Sequence, residues 1–263
     1  MQNICIAGIS GWVGRSLAPA VLASPDLKLT GAVSRSCRGQ TLRQAFGLES
    51  DLMIHAAVAD ALEQASVLVD FTSPAVVLHH VFTALERGVH VVIGTSGITD
   101  EQYQEIHHRA VEAHVGVLAA GNFALTAVLL QRFATKAAKY IPSWEILDYA
   151  HADKIDAPSG TARELAFRLS QVRPPHVEVP LDRMNGIRES RGAAVQQTQV
   201  HSIRLPGFVI SAEVIFGLPE ERLQLRHDAG SGAAPYVGGT LLAIREVARL
   251  RGVHRGLDCV MDL

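Results

Sequence analysis

A glycine-rich turn near the N-terminus constrains the fold of this chain more than any other feature. Gly8, Gly11 and Gly14 follow the short apolar run 4–7 and open a helical pattern over residues 12–22. In this strand–turn–helix setting the first glycine permits a tight turn, the second lets backbone N–H groups approach a pyrophosphate, and the third allows close helix packing. The spacing is one residue longer than the common form, and glycine-rich turns also occur for purely structural reasons. The setting nevertheless favours a dinucleotide site.

The rest of the first half continues the same alternation. Short apolar runs at 29–33, 67–71, 89–94 and 115–120 read as buried strands, separated by helical patterns. Helix starts are indicated by Ser73 with Pro74 and by Thr99 with its acidic first turn. Such an order of elements is typical of βαβ units, so we predict a Rossmann-like parallel sheet over residues 1–121.

The pattern changes after about residue 121. A helical stretch at 125–140 and a strand at 144–150 are followed by a second helix after Pro158-Ser159-Gly160. Alternating runs at 195–204, 209–216 and 223–227 predict strands with one solvated face. The proline-rich segment 173–192 is expected to be a long loop without regular structure, and the tail from Tyr236 is helical. We predict an α/β protein whose second domain, 122–235, is α+β on a mostly antiparallel sheet, while residues 236–263 return to the first.

Composition limits the classes of partner and compartment. The 263 residues include 24 Lys and Arg against 26 Asp and Glu, a formal net charge of -2, which provides no long-range field for nucleic acid or an anionic membrane. Cys5, Cys37 and Cys259 share no short spacing, and the twelve histidines show none of the metal-site spacings, so neither a disulfide framework nor a metal site is expected. Without a signal-peptide pattern or a spanning apolar stretch, we expect a soluble, cytoplasmic protein with a small-molecule partner.

The second strand leads directly into Ser34 and Arg35. Dinucleotide folds normally place an acidic residue here, where its carboxylate binds the ribose hydroxyls of NAD. Between Gly31 and Arg35 there is no acid, and the Arg35 guanidinium, with Arg38 nearby, suits the 2′-phosphate of NADP instead. The alternative is a solvated surface arginine. We expect NADPH as the preferred cofactor, with NADH as the alternative.

The most specific stretch runs from Lys154 to Thr161, with the sequence KIDAPSGT. Pro158 precedes a predicted helix whose first amides, at Ser159, Gly160 and Thr161, are expected to be unpaired and electropositive. Such a helix start is suited to a carboxylate, and Lys154 can add a point charge or deliver a proton. Ordinary helix capping with an exposed lysine is the alternative interpretation.

On this stretch the chain resembles the dihydrodipicolinate reductase family, whose hallmark includes a K-x-D-A-P-S-G-T segment. The resemblance extends over the whole chain: it includes segments 8–15, 70–72, 94–97 and 121–123, and Glu213 and His227 in the later strands. It implies that a cofactor lies between a nucleotide domain and a sheet domain through which four subunits assemble. The implied reaction is hydride transfer from NAD(P)H to a cyclic imine dicarboxylate, with a proton added from an acid.

The resemblance also implies site residues. Substrate would be bound by His151, Lys154, Ser159, Gly160 and Thr161, with Lys154 and His151 as candidate proton donors. The residues expected to bind the cofactor are Gly8, Ser10, Gly11, Trp12, Val13, Gly14, Ser34, Arg35, Phe71, Thr72, Gly94, Thr95, Ser96, Gly121, Asn122 and Phe123.

One departure from the family pattern concerns the acid. Members usually carry adjacent histidines shortly before the lysine, whereas here Ala150 occupies the first of those positions and only His151 remains. The proton could come from His151, Tyr149 or Lys154, or from water; or the substrate could be another carboxylated imine or keto acid. A weakened, cofactor-binding regulatory protein is a further alternative. The pairs His79-His80 and His107-His108 are interpreted as surface or packing residues.

Overall fold

The computed structural model describes residues 1–262, which form two sheets flanked by helices. The helices are α1 (Trp12–Leu22), α2 (Leu42–Phe46), α3 (Val58–Ala61), α4 (Pro74–Leu85), α5 (Asp100–Glu112), α6 (Leu125–Ala137), α7 (Gly160–Ser170) and α8 (Ala234–Val247). The strands are β1 (Gln2–Ala7), β2 (Leu27–Val33), β3 (Val67–Asp70), β4 (His90–Ile93), β5 (Gly116–Ala119), β6 (Ser143–Ala150), β7 (Ala193–Val195), β8 (Thr198–Arg204), β9 (Ile210–Leu218), β10 (Glu221–Ala229) and β11 (Gly252–Arg255).

The first sheet is parallel, as predicted, with strand order β11-β5-β4-β3-β1-β2. Strands β3 and β5 are buried along their whole length, which is why they appear in the sequence as unbroken apolar runs. The carboxyl ends of β1, β2 and β3 lie together at one edge, because parallel neighbours end on the same side. That edge is where an open α/β sheet binds its ligand.

The helix starts predicted at Pro74 and Thr99 are confirmed. Helix α4 begins at Pro74, where the missing N–H costs nothing. Helix α5 begins after Thr99, whose hydroxyl accepts from the Gln102 N–H while the Gln102 side chain accepts from the Thr99 N–H. This reciprocal arrangement is a capping box, of which the sequence analysis predicted the Thr99 capping oxygen but not the Gln102 side chain.

The second sheet has the order β10-β9-β6-β8-β7 and is mostly antiparallel, as predicted, with one parallel pair between β6 and β8. Strand β6 alternates strictly between buried and half-buried residues. The side chains of Trp144, Ile146, Asp148 and Ala150 lie on its buried face. Trp144 and Ile146 belong to a hydrophobic core that also includes residues of α6 and α7.

Two sequence-based expectations are corrected. The run 195–204 is a hairpin rather than one strand: β7 and β8 are joined at Gln196 and Gln197, which have φ values of 48° and 67°. Two left-handed residues make a tight hairpin turn, but the usual asparagine or glycine is missing, so no turn was predicted here. The 173–192 segment contains two short 3-10 helices, at Leu181–Arg183 and Arg188–Arg191. The short elements α2, α3 and β11 were not predicted.

The chain forms two compact units. One comprises residues 1–125 together with the segment from Ala233 onward, and the other comprises Thr126–Gly232. Strand β11 pairs with β5 and so ties the C-terminal segment into the first unit. Over the described residues, no helix is both long enough and apolar enough to cross a membrane.

Candidate active site

A cavity of about 650 Å³ opens at the carboxyl edge of the first sheet. Seven of the predicted cofactor residues line it: Gly8, Ser10, Gly11, Ser34, Arg35, Phe71 and Thr72. Six further lining residues were not predicted: Val33, Ser36, Ala56, Ser73, Val76 and His80. Its size is in the range of cofactor sites, and the glycine turn places the N-terminus of α1 beside it. The residues present therefore fit a dinucleotide.

The turn requires glycine because the backbone approaches a neighbouring strand end. Gly8 has φ +83°, and a Cβ at this position would lie 2.2 Å from the Phe71 carbonyl oxygen. A Cβ at Gly14 would lie 2.3 Å from the Gly8 carbonyl oxygen. Gly8 lines the cavity, and Gly14 allows α1 to start close to the turn, whichever cofactor is bound.

Three serine hydroxyls form a cluster at the end of β2. The Oγ atoms of Ser10 and Ser34 are 2.7 Å apart, those of Ser34 and Ser36 are 3.1 Å apart, and those of Ser10 and Ser36 are 3.4 Å apart. The exposed Arg35 lies between Ser34 and Ser36 in sequence and also lines the cavity. None of the described lining residues carries a carboxylate. The cluster therefore offers hydroxyls and one cation at the position where NAD-binding folds usually place an acid.

A buried carboxylate supports the next part of the cavity. Asp70 is fully buried; its Oδ1 accepts from the Thr72 N–H at 3.1 Å, from the Thr72 hydroxyl at 2.7 Å and from the Thr95 hydroxyl at 2.7 Å. Its Oδ2 lies 2.7 Å from His80 Nδ1. Asp70 therefore fixes Thr72 and His80, and both of these line the cavity. His80, interpreted from the sequence as a surface or packing residue, packs onto this carboxylate and in addition lines the cavity.

The Phe71 ring occupies a space that is free because Gly94 has no side chain. A Cβ at Gly94 would lie 1.9 Å from Phe71 Cε1, and the Phe71 ring contacts the buried Phe123 ring edge-to-face at 5.5 Å between centroids. Gly94 and Phe123, both predicted cofactor residues, thus position Phe71, which lines the cavity.

The remaining predicted cofactor residues lie outside the lining of this cavity. Trp12 is half exposed, with its ring 5.3 Å from that of Tyr236. Val13 and Gly14 are buried in α1, while Ser96 and Gly121 are exposed. Asn122 caps its own turn by accepting from the Ala124 N–H at 2.8 Å. A cofactor role for these residues stays a prediction.

The predicted substrate residues lie in the second unit, in the loop between β6 and α7. Lys154 Nζ lies 2.6 Å from Asp156 Oδ1, and His151 Nδ1 lies 2.7 Å from Asp153 Oδ1. The hydrogen bond from Lys154 holds the pKa of Asp156 below its ordinary value. Each basic side chain is paired with a neighbouring carboxylate. Both remain partly exposed, so a ligand can reach them.

The start of α7 differs in one respect from expectation. Ser159 is the N-cap residue: its hydroxyl accepts from the Ala162 N–H at 3.3 Å, and its own N–H donates to Asp148 Oδ2 at 2.8 Å. The prediction that the Ser159 amide is unpaired is therefore wrong. The first helical hydrogen bond is donated by Arg163, which leaves the Gly160 and Thr161 amides as the donors that the helix itself does not use.

The side chains near the missing family histidine are now located. Ala150 is fully buried on the core face of β6. Tyr149 points to the opposite face, where its hydroxyl donates to Glu213 Oε2 at 3.1 Å. Burial, together with the hydrogen bond and negative charge of Glu213, raises the pKa of Tyr149. Tyr149 thus lies on the opposite side of the sheet from Asp148, and its hydroxyl is already bonded to Glu213.

Comparison with known families accounts for nearly the whole chain. The profile described as dihydrodipicolinate reductase, N-terminus, matches residues 2–123, and the one described as dihydrodipicolinate reductase, C-terminus, matches residues 126–261. The chain belongs to the dihydrodipicolinate reductase family. The resemblance drawn from the 154–161 segment is confirmed, and as a member of this family the chain is an NAD(P)H-dependent oxidoreductase.

Individual relatives agree over their full length. The chain is 35% identical to 4-hydroxy-tetrahydrodipicolinate reductase of Listeria welshimeri over 99% of this chain and 100% of the relative. It is 38% identical to the enzyme of the same name from Moorella thermoacetica over 99% and 98% of the two chains. Among solved structures, dipicolinate-bound dihydrodipicolinate reductase from Paenisporosarcina sp. TG-14 superposes with a TM-score of 0.90 at 29% identity, covering 99% and 100% of the two chains.

Proposed function

We propose that this chain reduces 4-hydroxy-tetrahydrodipicolinate, or the dihydrodipicolinate derived from it, to tetrahydrodipicolinate in lysine and diaminopimelate biosynthesis. The observation that carries the proposal is the 154–161 loop, where a partly exposed lysine precedes a helix start with two amides that the helix does not use. That arrangement suits a small cyclic dicarboxylate, and the family relatives bear the name of this activity.

The loop residues have separate tasks in this proposal. The N–H groups of Gly160 and Thr161 bind one carboxylate of the substrate, with Ser159 maintaining the helix start rather than donating its own amide. Lys154 supplies positive charge to the dicarboxylate and is the preferred proton donor, because its ammonium group is partly exposed just before the helix start that binds the carboxylate. His151, paired with Asp153, is the second candidate donor. Proton delivery by a positioned side chain typically contributes about 100-fold or more to the rate.

The first unit would bind the cofactor, NADPH in preference to NADH. Loss of water from 4-hydroxy-tetrahydrodipicolinate gives dihydrodipicolinate, and the bound cofactor would supply the hydride that, together with a proton, reduces one of the two double bonds of that ring. The glycine turn and the N-terminus of α1 would bind the pyrophosphate, and Ser10, Ser34 and Ser36 with Arg35 would bind a 2′-phosphate. Hydroxyl donors and a guanidinium favour a phosphate where a carboxylate would repel it.

The activity is tested by NADPH oxidation with freshly generated 4-hydroxy-tetrahydrodipicolinate. We expect turnover by the wild type and a fall of about 100-fold or more in kcat for Lys154→Ala. Lys139→Ala, which removes an exposed lysine elsewhere in the same unit, serves as the matched control and should retain full activity. NADPH binding without turnover on this substrate would overturn the proposal.

Cofactor preference has its own test. Arg35→Ala should lower the ratio of kcat/KM for NADPH over NADH by about tenfold, because a charge-assisted contact to the 2′-phosphate is lost. Arg43→Ala, at an exposed arginine of the same unit that pairs with Asp51, is the control and should change the ratio little. An unchanged ratio in Arg35→Ala would exclude the proposed contact of Arg35 with the 2′-phosphate.

The Ala150 position supports a second candidate, reduction of another carboxylated imine or keto acid. The family acid is missing here, and Ala150 is buried in the core, so the altered residue does not itself offer a donor. A panel of cyclic imines and 2-keto acids assayed with NADPH distinguishes the two. A kcat/KM on another member of the panel that exceeds that on 4-hydroxy-tetrahydrodipicolinate would favour the second candidate.

We further infer a homotetramer assembled through the second sheet. Leu218 and Leu223 each leave more than a third of their surface exposed, at 38% and 39%, in the strand pair at one edge of that sheet. Exposed leucines on neighbouring strands are consistent with a surface that another subunit covers. Sedimentation equilibrium should give four times the chain mass, and Leu223→Glu should lower it; a monomeric wild type would contradict the inference.

A further inference from the structure

We propose that the buried Asp148–Arg204 ion pair positions the substrate-binding loop and keeps the start of α7 attractive to a carboxylate. Neither residue reaches the loop's exposed functional groups directly; the pair acts through the backbone of Ser159 and Asp156. The inference rests on the proposed function, because it assigns that loop to a dicarboxylate.

Asp148 brings three donors onto one oxygen. It is fully buried on β6, and its Oδ2 accepts from Arg204 Nη2 at 2.7 Å, from the Ser159 N–H at 2.8 Å and from the Ser202 hydroxyl at 3.1 Å. The bond to Ser159 fixes the N-cap residue of α7, and therefore fixes the direction in which the next two amides point.

Arg204 binds a second point of the same loop, the backbone of Asp156. Its Nη2 donates to the Asp156 carbonyl at 2.7 Å, and its Nη1 donates to the Asp148 carbonyl at 3.1 Å. Because the Asp156 carboxylate holds Lys154 at 2.6 Å, a shift of the Asp156 backbone moves the Lys154 ammonium group as well. One ion pair thus controls both the amide donors and the cationic side chain.

Joining β6 to β8 does not require this pair. The two strands are already hydrogen-bonded in parallel, with Asp148 opposite Ser202 and Ala150 opposite Arg204. The ion pair also leaves Asp148 Oδ1 and Arg204 Nε buried without a hydrogen-bond partner among the described residues, which costs free energy. The ion pair costs free energy, and its contacts are directed at two points of one loop, Asp156 and Ser159. We therefore assign its role to positioning the loop rather than to joining the strands.

The charges of the pair explain its second effect. Burial disfavours the ionised form of Asp148, but the hydrogen bonds from Ser159 and Arg204 outweigh burial and hold its pKa below the ordinary value, so the carboxylate is ionised at neutral pH. An unpaired carboxylate at the start of α7 would repel a substrate carboxylate. Arg204 cancels that charge, which leaves the positive end of the helix available.

The test measures binding of pyridine-2,6-dicarboxylate and NADPH by calorimetry in four variants. Arg204→Gln exposes the α7 start to an uncompensated carboxylate, so we expect Kd for the dicarboxylate to rise about tenfold or more while Kd for NADPH is unchanged. Asp148→Asn/Arg204→Gln removes both charges and should recover most of the lost affinity. Arg204→Lys keeps the charge but cannot donate to the Asp148 and Asp156 carbonyls at the same time as a guanidinium does. We therefore expect kcat to fall more than the affinity for the dicarboxylate. Arg191→Gln, which breaks the ion pair with Glu145 in the same unit, is the control.

Thermal unfolding of each variant separates the proposal from a general loss of stability, because neutralising the buried Asp148 can itself restore the fold in the double variant. Hydrogen exchange of residues 154–161 in the ligand-free protein gives a readout independent of binding, and it should accelerate in Arg204→Gln and Arg204→Lys. If Arg204→Gln does not fold, Arg204→Lys decides by its kcat and its exchange.

Two outcomes overturn different statements. A wild type that neither turns over nor binds the dicarboxylate removes the proposed function. A wild type that binds, with Arg204→Gln within twofold of it or with the double variant no better than Arg204→Gln, removes the positioning role alone.

Discussion

Single residues decide the shape of the cofactor cavity through atoms that are absent as much as through atoms that are present. Gly94 shows this directly, since the Phe71 ring occupies the space that its Cβ would take. Asp70 shows the complementary case, in which one buried carboxylate orients Thr72 and His80 at the cavity wall. Neither effect requires a contact between the deciding residue and a ligand.

A first prediction concerns Gly94→Ala. The added methyl group would lie 1.9 Å from Phe71 Cε1, so the ring must move. We expect a loss of about 1–3 kcal/mol in the free energy of unfolding and weaker NADPH binding, because Phe71 lines the cavity. Urea denaturation and fluorescence titration measure the two effects. Gly217→Ala, where a Cβ meets nothing within 4 Å, should leave both unchanged.

A second prediction concerns the missing histidine. Ala150 is fully buried, so Ala150→His must fit an imidazole into a packed core. Overpacking of this kind costs about 1–3 kcal/mol, and we expect lower stability without a gain in kcat. Thermal unfolding and turnover should be measured together, with Ala150→Ser as the small polar control. A large gain in kcat would instead identify position 150 as the place of a lost acid.

At the level of elements, position in the chain and packing partner determine what each strand can do. Strand β6 illustrates this, because its two faces carry different chemistry: Asp148 supports the loop to α7, while Tyr149 pairs with Glu213 on the opposite face. Strand β10 illustrates it again, since it carries His227 into a buried position where its Nδ1 lies 2.8 Å from the Thr126 hydroxyl on α6.

His227 gives a pH prediction for the second unit. Burial holds its pKa below the ordinary value of 6.5, which outweighs the raising effect of Asp228. The unfolded chain therefore binds a proton more readily than the folded chain, so stability is fully present above pH 6.5 and is lost as the pH falls toward the folded pKa. His227→Gln should flatten this part of the pH profile of unfolding. His176→Gln, at an exposed histidine, should retain the wild-type slope.

At the level of the whole molecule, each unit holds its own set of predicted ligand residues. The cavity-lining residues belong to the first unit, and the 154–161 loop belongs to the second. The C-terminal segment matters for the first unit, because β11 completes its sheet beside β5. Ligands specific to either set should therefore stabilise the protein by mass action.

The expected size of this effect is a fourth prediction. NADPH at 100 times its Kd should raise the free energy of unfolding by about 2.7 kcal/mol, because it binds only the folded chain. Scanning calorimetry with and without NADPH measures the rise in Tm. Adenosine, which lacks the phosphates, is the control and should give a much smaller shift. No shift at saturating NADPH would contradict the assignment of the cavity.

The sequence by itself determined the parallel sheet, the helix starts at Pro74 and Thr99, the glycine turn and the 154–161 segment. These features are local: apolar periodicity, capping groups and turn geometry act between residues close in the chain, so their pattern can be read directly. The hairpin at Gln196 and Gln197 was missed because its turn uses residues without a turn preference.

Only the tertiary structure decided which side chains meet. His80 and Asp70 are ten residues apart and Asp148 and Arg204 are 56 apart, and nothing in their local sequence indicates a partner. The same holds for the paired Ser159 amide and for the face of β6 on which Tyr149 lies. These contacts depend on strand order and register, which are set by burial over the whole chain rather than by neighbouring residues.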